Sequence, residues 1–570
     1  MADIVIRGGV VVDGTGAAPF EADVAMAGGR ITAIGQVPER GATEIDAHGK
    51  LVTPGFVDIH THYDGQAVWD SHLAPSAWHG VTTAVMGNCG VGFAPCRAAD
   101  RDKLIELMEG VEDIPGPILH EGLKWSWESF PEYLDALAAR PRDMDICALL
   151  PHGAVRVHVM GERALNLENA NQADIAAMRA ITADAVRAGA FGVSTSRTIS
   201  HKTLKGDPTP TLRAQEDELR GLAQGLRDGG GGLLELVSDW NTPDPATEFA
   251  MVRRVVEATN QPVVFSLTAR HDRTEAWKEL LALSDGAAAA GLPIRPVFPP
   301  RPIGILLGLE GSQNPFSGCV SYKEIAHLPA ADRAAQGPPW RRARILSEDR
   351  IAGSNFPLIS RLVFERMFPF GDPPDYAPPA SASIAAMAAR EGRKAEEVAY
   401  DLLIADDGRG FIFAPLTNFA DYTLSASAEC LRHPNAIAGL SDGGAHVGFI
   451  SDGSFPTFLL SYWARDAKEA VFPVQEMVRR LTSDTALAAG LHDRGVLRAG
   501  MKADLNVIDF AALKLNAPRM VRDLPAGGRR LLQKPDGYIA TIMNGEVTYR
   551  DGVATGALPG RLLRSSGRAA

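Results

Sequence analysis

The sequence has no long hydrophobic run and no excess of basic residues, and both absences narrow the class of protein. No apolar stretch is long enough to span a bilayer, so we expect no membrane partner. Asp and Glu (69) outnumber Lys and Arg (57), which gives a formal net charge of -12. Because phosphate binding requires a basic surface, the charge balance argues against nucleic acid as the main partner.

Cysteine is also scarce. The five cysteines are odd in number and scattered along 570 residues, so the sequence indicates no disulfide framework. A reducing compartment fits this usage. The first residues, MADIVIRGG, contain no basic segment followed by an apolar run, so we predict no signal peptide and a cytoplasmic location. With 45% hydrophobic residues the chain can bury a large core without disulfides or structural metals.

Both ends of the chain are predicted to form short strands. DIVIRGGVVVDGTG and ADVAMAGGRITAIG near the N-terminus are apolar stretches interrupted by glycines, a pattern typical of hairpins. ADLNVIDF and YIATIMNGEVTYRDG near the C-terminus repeat this pattern, with Asn544-Gly545 as a strong turn signal. We predict that residues 1–54 and 491–570 together form one small composite β-sandwich domain.

The middle of the chain, residues 55–490, has a different pattern. Short apolar runs alternate with helical stretches such as NQADIAAMRAITADAVRAG, which indicates an α/β fold with a (β/α)8 TIM barrel. A long connection at about 305–430 is rich in proline and arginine at first and helical later. We interpret it as an insert that covers the barrel mouth. The eight predicted barrel strands are LVTPGFVDIH, VTTAVMGNC, DICALLPH, FGVSTSR, LLELVSDW, PVVFSLTAR, IRPVFPPRP and AIAGLSDG.

Two histidines end the first of these strands, in GFVDIHTHYD. Residues i and i+2 of a strand point to the same face, so His60 and His62 can bind one metal ion. In a barrel the carboxyl ends of the strands carry the active site. The alternative is that both histidines only form hydrogen bonds with the backbone. Because a second acidic motif ends the last strand, we favour the metal site.

That second motif is GLSDGGAHVG, in which Asp442 ends the eighth predicted strand and His446 follows four residues later. A carboxylate there can ligate a metal and accept a proton from water. The alternative is a turn aspartate before two glycines. Cys89, after the second strand, offers a thiolate, which is a good zinc ligand. By itself a buried cysteine is more often a small hydrophobic residue.

With these residues in view, the chain resembles the amidohydrolase superfamily, and within it the D-aminoacylase (N-acyl-D-amino-acid deacylase) branch. The resemblance is carried by TPGFVDIHTHYD, GVTTAVMGNCGVGFAP, PHGAVRVHVMG, the SDG after strand eight, and DRGVLRAGMKADLNVID. It implies a metal-bearing barrel with a composite β domain. It also implies that His60, His62 and Cys89 are metal ligands and that Asp442 is the catalytic aspartate.

The chain departs from this family at three places. The family has metal histidines on strands five and six, but LLELVSDW and VVFSLTARHD have none at the expected positions, and His271 lies past the end of strand six. Strand four has no lysine that could be carbamylated to bridge two metals. The sequence therefore predicts one zinc ion rather than two, held by His60, His62 and Asp442, with Cys89 as a candidate fourth ligand. Three protein ligands and an open position suit a hydrolytic zinc.

Several polar residues that follow the predicted strands are candidates for substrate binding, although each could equally form structural hydrogen bonds. An arginine among them could hold a substrate carboxylate in a bidentate pair. The candidates are His152, Arg156, Arg197, His201 and His446.

The function predicted from these patterns is metal-dependent hydrolysis of a small-molecule amide, with Asp442 as general base. The resemblance implies an N-acyl-D-amino acid as substrate. Two alternatives stay open: an amidohydrolase acting on a cyclic amide or a small peptide, and a metal-free barrel that only binds a ligand. The sequence leaves the oligomeric state open, including a homo-oligomer.

Overall fold

A computed structural model describes residues 2–240, 244–335, 339–354, 358–468 and 471–565. The predicted insert at 305–430 includes residues 336–338 and 355–357, which lie outside these ranges. Residues 566–570 of the predicted C-terminal part also lie outside them.

Strands from both ends of the chain share one nine-stranded sheet. Its order along the main path is β24-β23-β22-β17-β5-β1-β2-β3, and β4 pairs with β1. The N-terminal strands are β1 (Ala2–Val11), β2 (Phe20–Ala27), β3 (Arg30–Gly35), β4 (Gly41–Asp46) and β5 (Leu51–Pro54); the C-terminal ones are β17 (Leu505–Ile508), β22 (Tyr538–Met543), β23 (Glu546–Arg550) and β24 (Val553–Ala554).

The turn between β22 and β23 follows from its sequence. Met543 pairs with Glu546, so Asn544 and Gly545 form the two-residue loop of a hairpin. Both have positive φ angles, 52° and 77°, and asparagine and glycine tolerate this conformation best. The hairpin predicted from Asn544-Gly545 is therefore confirmed. The described structure shows one sheet here, so the predicted β-sandwich stays a prediction.

A second sheet of eight parallel strands contains each of the eight predicted barrel strands. Its order, β6-β7-β8-β9-β10-β11-β12-β16, follows the chain. The strands are β6 (Phe56–Thr61), β7 (Val81–Met86), β8 (Asp145–Pro151), β9 (Gly192–Arg197), β10 (Leu233–Ser238), β11 (Val263–Ser266), β12 (Ile294–Phe298) and β16 (Ile437–Ala438). One boundary was wrong: residues 51–54 of LVTPGFVDIH belong to β5 in the other sheet.

The two edges of the parallel sheet meet. The His62 amide donates to the Gly443 carbonyl at 2.8 Å, and the Asp442 amide donates to the His60 carbonyl at 3.1 Å. A parallel bridge also joins Thr61 to Gly443. The sheet therefore curls as in a TIM-like barrel, and the curl brings the end of β6 beside the segment after β16.

Helices connect the strands and cover the outside of this sheet. The capping residues of α7 explain where this helix begins and ends. Asn171 accepts hydrogen bonds from the first-turn amides, Asp174 completes the capping box, and Gly189 ends the helix with a φ of 116°. The helices before the insert are α1 (Gln66–Trp69), α2 (Arg101–Glu112), α3 (Gly116–Gly122), α4 (Phe130–Ala138), α5 (His152–Met160), α6 (Glu162–Leu165), α7 (Gln172–Ala188), α8 (Glu216–Gly229), α9 (Pro245–Thr259) and α10 (Ala276–Ala289).

The segment between β12 and β16 has a sheet and a hydrophobic cluster of its own. A three-stranded antiparallel sheet, β13 (Gly304–Gly308), β15 (Phe411–Pro415) and β14 (Phe368–Phe370), packs with buried residues such as Phe316, Tyr400 and Leu403. The sequence did not indicate these strands. The segment holds α11 (Val320–Lys323), α12 (Ala330–Ala335), α13 (Pro339–Ser347), α14 (Ile384–Glu391) and α15 (Ala395–Gly408).

The insert contacts the loop that follows β16. The Leu306 amide donates to the Phe449 carbonyl at 2.7 Å, and the Ser312 amide donates to the Gly448 carbonyl at 2.9 Å. α16 (Ser425–Arg432) precedes β16, and the helices α17 (Phe455–Phe458), α18 (Val474–Leu481) and α19 (Ser483–Ala488) follow it. The remaining strands are β18 (Lys514–Leu515), β19 (Arg519–Leu524), β20 (Gly528–Leu532) and β21 (Pro535–Asp536). Among the described residues, no helix combines the length and the apolar character that crossing a membrane requires.

Candidate metal centre

The structure brings the two histidines of the first barrel strand to one point. β6 ends at Thr61, and both rings point to the same side of the chain, with their centroids 5.4 Å apart. The Nε2 atom of His60 lies 3.3 Å from Asp442 Oδ1, and that of His62 lies 3.6 Å from the same oxygen. Both side chains are at least 95% buried. The spacing of i and i+2 thus has the geometric consequence expected from the sequence.

Cys89 completes a tight group of three. It follows β7 with φ of 57°, a left-handed conformation that few residues other than glycine adopt. Its Sγ lies 3.5 Å from His60 Nε2. One ligand atom each from His60, His62 and Cys89 lie within 4.8 Å of one another, and all three residues are buried. Among the described residues this is the one such group found.

Asp442 reaches the group from the loop after β16. Its φ is 49°, and that of His446, four residues on, is 51°. Backbone strain of this kind persists where the surrounding structure enforces it, and it is concentrated at functional sites. Here the hydrogen bond between the Asp442 amide and the His60 carbonyl fixes the loop, so the carboxylate is directed at the two imidazoles.

Two further aspartates hold the backbone around the histidines. Asp58 accepts a hydrogen bond from the His60 amide at 3.2 Å and another from the Ser441 hydroxyl, which ties β6 to the residue before Asp442. Asp64 accepts from the Gly87 amide at 3.1 Å and so links the end of β6 to the end of β7. Both carboxylates are buried, and their role here is to fix the strand ends.

Sequence reasoning missed two buried glutamates that line the site. Glu235 lies on β10 and accepts a hydrogen bond from the Cys89 amide at 3.1 Å. Glu112 ends α2 and lies 3.4 Å from His62 Nδ1. An acidic residue inside the apolar run LLELV was a signal for Glu235, because buried strands rarely carry an unpaired charge. Glu112 gave no comparable signal, since it stands among other acidic residues in ELMEGVED.

Burial and neighbouring charges shift the pKa values of the two histidines in opposite directions. Burial lowers the pKa of His60 to about 4, so its ring is neutral at neutral pH. Burial also opposes protonation of His62, but Glu112 and Asp442 outweigh it and raise the pKa of His62 to about 9. A metal that binds His62 must therefore displace a proton.

The acidic groups respond to the same surroundings. Burial by itself would raise the pKa of Asp442, but the interactions with His62 and His60 hold it below its ordinary value. Burial, followed by Glu112 and Glu235, raises the pKa of the Cys89 thiol well above its usual range. Without a cation the thiol keeps its proton, and a bound metal would remove it, since thiols that coordinate metals are deprotonated.

His201 and His446, both predicted to bind substrate, lie next to this group. His446 Nε2 lies 3.9 Å from Asp442 Oδ2 and 3.7 Å from Glu112 Oε2. His201 follows β9, and its Nδ1 lies 2.8 Å from Ser196 Oγ. Burial and the nearby imidazoles lower the pKa of His201 to about 3, while burial lowers that of His446 to about 4. Both rings are therefore neutral hydrogen-bonding groups at neutral pH.

The other three residues predicted to bind substrate have partners within the protein. His152 Nε2 and Arg156 Nε lie 2.8 Å and 2.7 Å from Glu218 Oε1, and both side chains are fully buried. Arg197 Nε lies 2.7 Å from Glu248 Oε1. These ion pairs account for their burial without a substrate, so a substrate role for them stays a prediction.

The donor set fits a divalent metal. Two imidazoles and a thiolate are ligands that zinc prefers. Both ring nitrogens of His62 are buried and have no hydrogen-bond partner, a costly arrangement that a ligated ion would relieve. The two histidines that the family resemblance implies on strands five and six are absent from this group. Strand five contributes Glu235 instead.

The amidohydrolase family profile matches residues 43–549, so the chain belongs to the amidohydrolase family. It is therefore a hydrolase of carbon–nitrogen bonds.

Individual relatives agree with this class. The chain is 27% identical to N-acyl-D-aspartate deacylase from Alcaligenes xylosoxydans xylosoxydans, over 99% of this chain and 95% of the relative. It is 26% identical to D-aminoacylase from the same organism, over 98% and 97%. Uncharacterized proteins from Mycobacterium tuberculosis match at 27% identity over 99% and 96%.

Solved structures share the fold. A D-aminoacylase crystal structure superposes with a TM-score of 0.65 at 23% identity, covering 99% of this chain and all of that one. N-acyl-D-glutamate deacylase from Bordetella bronchiseptica, complexed with zinc and a phosphonate inhibitor, gives the same values. A further D-aminoacylase structure with the same TM-score concerns the binuclear metal center of that enzyme, with one-metal activation and second-metal attenuation. The resemblance to the D-aminoacylase branch is thus confirmed.

Proposed function

We propose that this chain is a metal-dependent amidohydrolase of non-peptide amides, similar to the N-acyl-D-amino-acid deacylases. The single observation that carries the proposal is the buried group of His60, His62 and Cys89, whose ligand atoms lie within 4.8 Å of one another. The Asp442 carboxylate faces both imidazoles of this group. Relatives that align over nearly the whole chain are named as deacylases of N-acyl-D-amino acids, which supports the substrate class.

We propose one zinc ion, held by His60, His62 and Cys89, with Asp442 as a further ligand. When bound, the ion would supply Lewis-acid polarisation of the amide carbonyl and would lower the pKa of water. The chain supplies the rest of the chemistry. The three ligand residues come from the ends of two neighbouring strands, β6 and β7, so the sheet fixes their separation before any ligand binds.

Asp442 is the general base in this proposal. Its lowered pKa keeps the carboxylate ionised, so one of its oxygens can take a proton from the attacking water. The water oxygen bonds to the carbonyl carbon, the carbon–nitrogen bond breaks, and Asp442 passes the proton to the leaving nitrogen. The products are a carboxylic acid and an amine.

His201 and His446 are the substrate-binding residues that the geometry favours. Both rings lie at the edge of the group and both are neutral at neutral pH, so they can exchange hydrogen bonds with an amide. His446 also faces Asp442, and this places it beside the atoms between which the proton moves.

The architecture that accompanies this proposal is a closed (β/α)8 barrel at 55–490 with the insert at about 305–430. Residues 1–54 and 491–570 form the composite β-sandwich domain, and the protein acts in the cytoplasm. The nine-stranded sheet built from both ends of the chain supports this division.

The experiment is a combined measurement of metal content and hydrolysis. We expect about one zinc per chain in the purified protein, lost in the His60→Ala/His62→Ala double variant. A panel of N-acyl-D-amino acids, their L-enantiomers and cyclic amides then identifies the substrate. Hydrolysis of cyclic amides alone would move the proposal to that class. Failure to bind zinc would refute it and favour a barrel that only binds a ligand.

A further inference from the structure

The Nδ1 atoms of His60 and His62 face carboxylates, on the side of each ring that points away from the candidate metal centre. His60 Nδ1 lies 3.8 Å from Glu235 Oε1, and His62 Nδ1 lies 3.4 Å from Glu112 Oε1. The Nε2 atoms of the same rings face Asp442. Each imidazole thus stands between a carboxylate on one side and the candidate metal centre on the other.

Both glutamates are buried at a cost that the visible contacts do not offset. Their side chains are 3% and 2% exposed, and the oxygen nearest each histidine has no hydrogen-bond partner. A buried carboxylate oxygen without a hydrogen-bond donor is unfavourable. The Nδ1 atoms of His60 and His62 are the ring nitrogens that face these two oxygens.

A metal bound at the Nε2 atoms would decide which ring nitrogen carries the hydrogen. An imidazole that ligates through Nε2 keeps its hydrogen on Nδ1, and a carboxylate is the matching acceptor. The two separations need to shorten by only about 0.6 Å and about 0.2 Å to reach the outer limit of an N–H···O hydrogen bond. Such an acceptor fixes the tautomer and the orientation of the ring.

Each glutamate is held from a different element. Glu235 is fixed by the Cys89 amide, so β10 supports a histidine on β6 and the cysteine after β7 together. Glu112 comes from α2, and its second oxygen lies 3.7 Å from His446 Nε2. Strand five therefore carries a support for the existing ligands, where the family resemblance implied a further metal histidine.

We propose that Glu235 and Glu112 are positioning residues that orient His60 and His62 for metal binding; the proposal rests on the metal-dependent function proposed above. The single ion is then held by few protein ligands, but each of its two imidazole ligands is oriented by a carboxylate once the metal binds at Nε2.

The test measures zinc affinity of the full chain by competition with a chelator. We expect Glu235→Gln and Glu112→Gln each to weaken zinc binding by about 10- to 100-fold. Glutamine keeps the shape of the side chain but removes its charge. The matched control is Glu218→Gln, another buried glutamate beside a histidine, His152, which should leave zinc affinity unchanged. Thermal unfolding of the metal-free proteins establishes which variants are folded. If only one of Glu235→Gln and Glu112→Gln is folded, its zinc affinity is sufficient for the test.

Cobalt substitution separates a positioning role from direct ligation. If both glutamates act through the histidines, the absorption bands of the Co²⁺ form keep their positions in the variants while the affinity falls. Zinc affinity equal to the parent in both variants would overturn the proposal and leave the hydrolase function standing. A cobalt spectrum that shows a lost ligand would also overturn it. No zinc binding by the parent itself would instead refute the function on which it rests.

Discussion

His79 offers a quantitative test of how buried groups control the stability of this fold. It ends a short 3-10 helix (Ser76–His79) before β7 and is fully buried. Its Nε2 lies 2.9 Å from the Gln533 carbonyl oxygen, so Nε2 carries the hydrogen and donates it. Its Nδ1 lies 2.8 Å from Thr457 Oγ1 and accepts from that hydroxyl. The neutral ring thus joins three distant parts of the chain.

Burial lowers the pKa of His79 to about 3, against 6.5 for the exposed group. Between these values the unfolded chain binds a proton that the folded protein does not. The contribution is therefore fully present above the unfolded pKa and is lost as the pH falls from 6.5 toward 3. At 1.36 kcal/mol per pKa unit, moving from about pH 8 to about pH 5.5 costs about 1.4 kcal/mol through this residue.

The assay compares urea unfolding of the parent and of His79→Gln at these two pH values, with the same zinc concentration throughout. Other groups also titrate, but they are common to both proteins. The pH-dependent loss of unfolding free energy should therefore be about 1.4 kcal/mol smaller in the variant. His48→Gln, at a side chain 74% exposed, is the control and should keep the parental loss. Equal losses in the parent and His79→Gln would refute the assignment of a neutral buried ring.

Three further outcomes are expected. Gly87→Ala would place a Cβ 2.5 Å from a main-chain oxygen at a φ of 87°, whereas Gly206→Ala has the same left-handed backbone in open space. The first should lower the free energy of unfolding by about 1–3 kcal/mol more than the second, and equal effects would exclude the clash. Arg156→Met should cost about 3–5 kcal/mol of unfolding free energy, with KM unchanged, because the buried Glu218 loses its guanidinium partner and keeps only His152. A raised KM in a stable variant would instead support the predicted substrate role. Asp442→Asn should lower kcat by about 100- to 10,000-fold, and full activity would exclude it as the general base.

The strand order of the barrel could be predicted because each strand is buried on both faces. Such strands have continuous apolar runs, which stand out against amphipathic helices such as α7. The strands of the insert were less predictable, because their pairing depends on residues that are distant in the sequence. β15 (Phe411–Pro415) is a five-residue apolar run after the turn sequence DDGRG, so its start is marked but its pairing is not. Its partners are β14 (Phe368–Phe370), about forty residues earlier, and β13 (Gly304–Gly308), about a hundred residues earlier.

The candidate site divides in the same way. His60 and His62 could be paired from the sequence because alternation along one strand decides which face they share. Cys89 and Asp442 were weaker candidates, since each is a single residue at a strand end, and the family resemblance strengthened both. Glu112 was out of reach, because nothing local in a helix end tells which distant strand its side chain will meet.

The sequence alone therefore determined the class of enzyme and the order of the barrel strands, since local periodicity and short motifs encode both. The tertiary structure decided the surroundings of the site. The curl of the sheet sets Asp442 against β6, and long-range packing brings Glu235 and Glu112 to the backs of the two histidines. Those contacts arise from burial and chain closure over 50 or more residues, so no pattern within one segment records them.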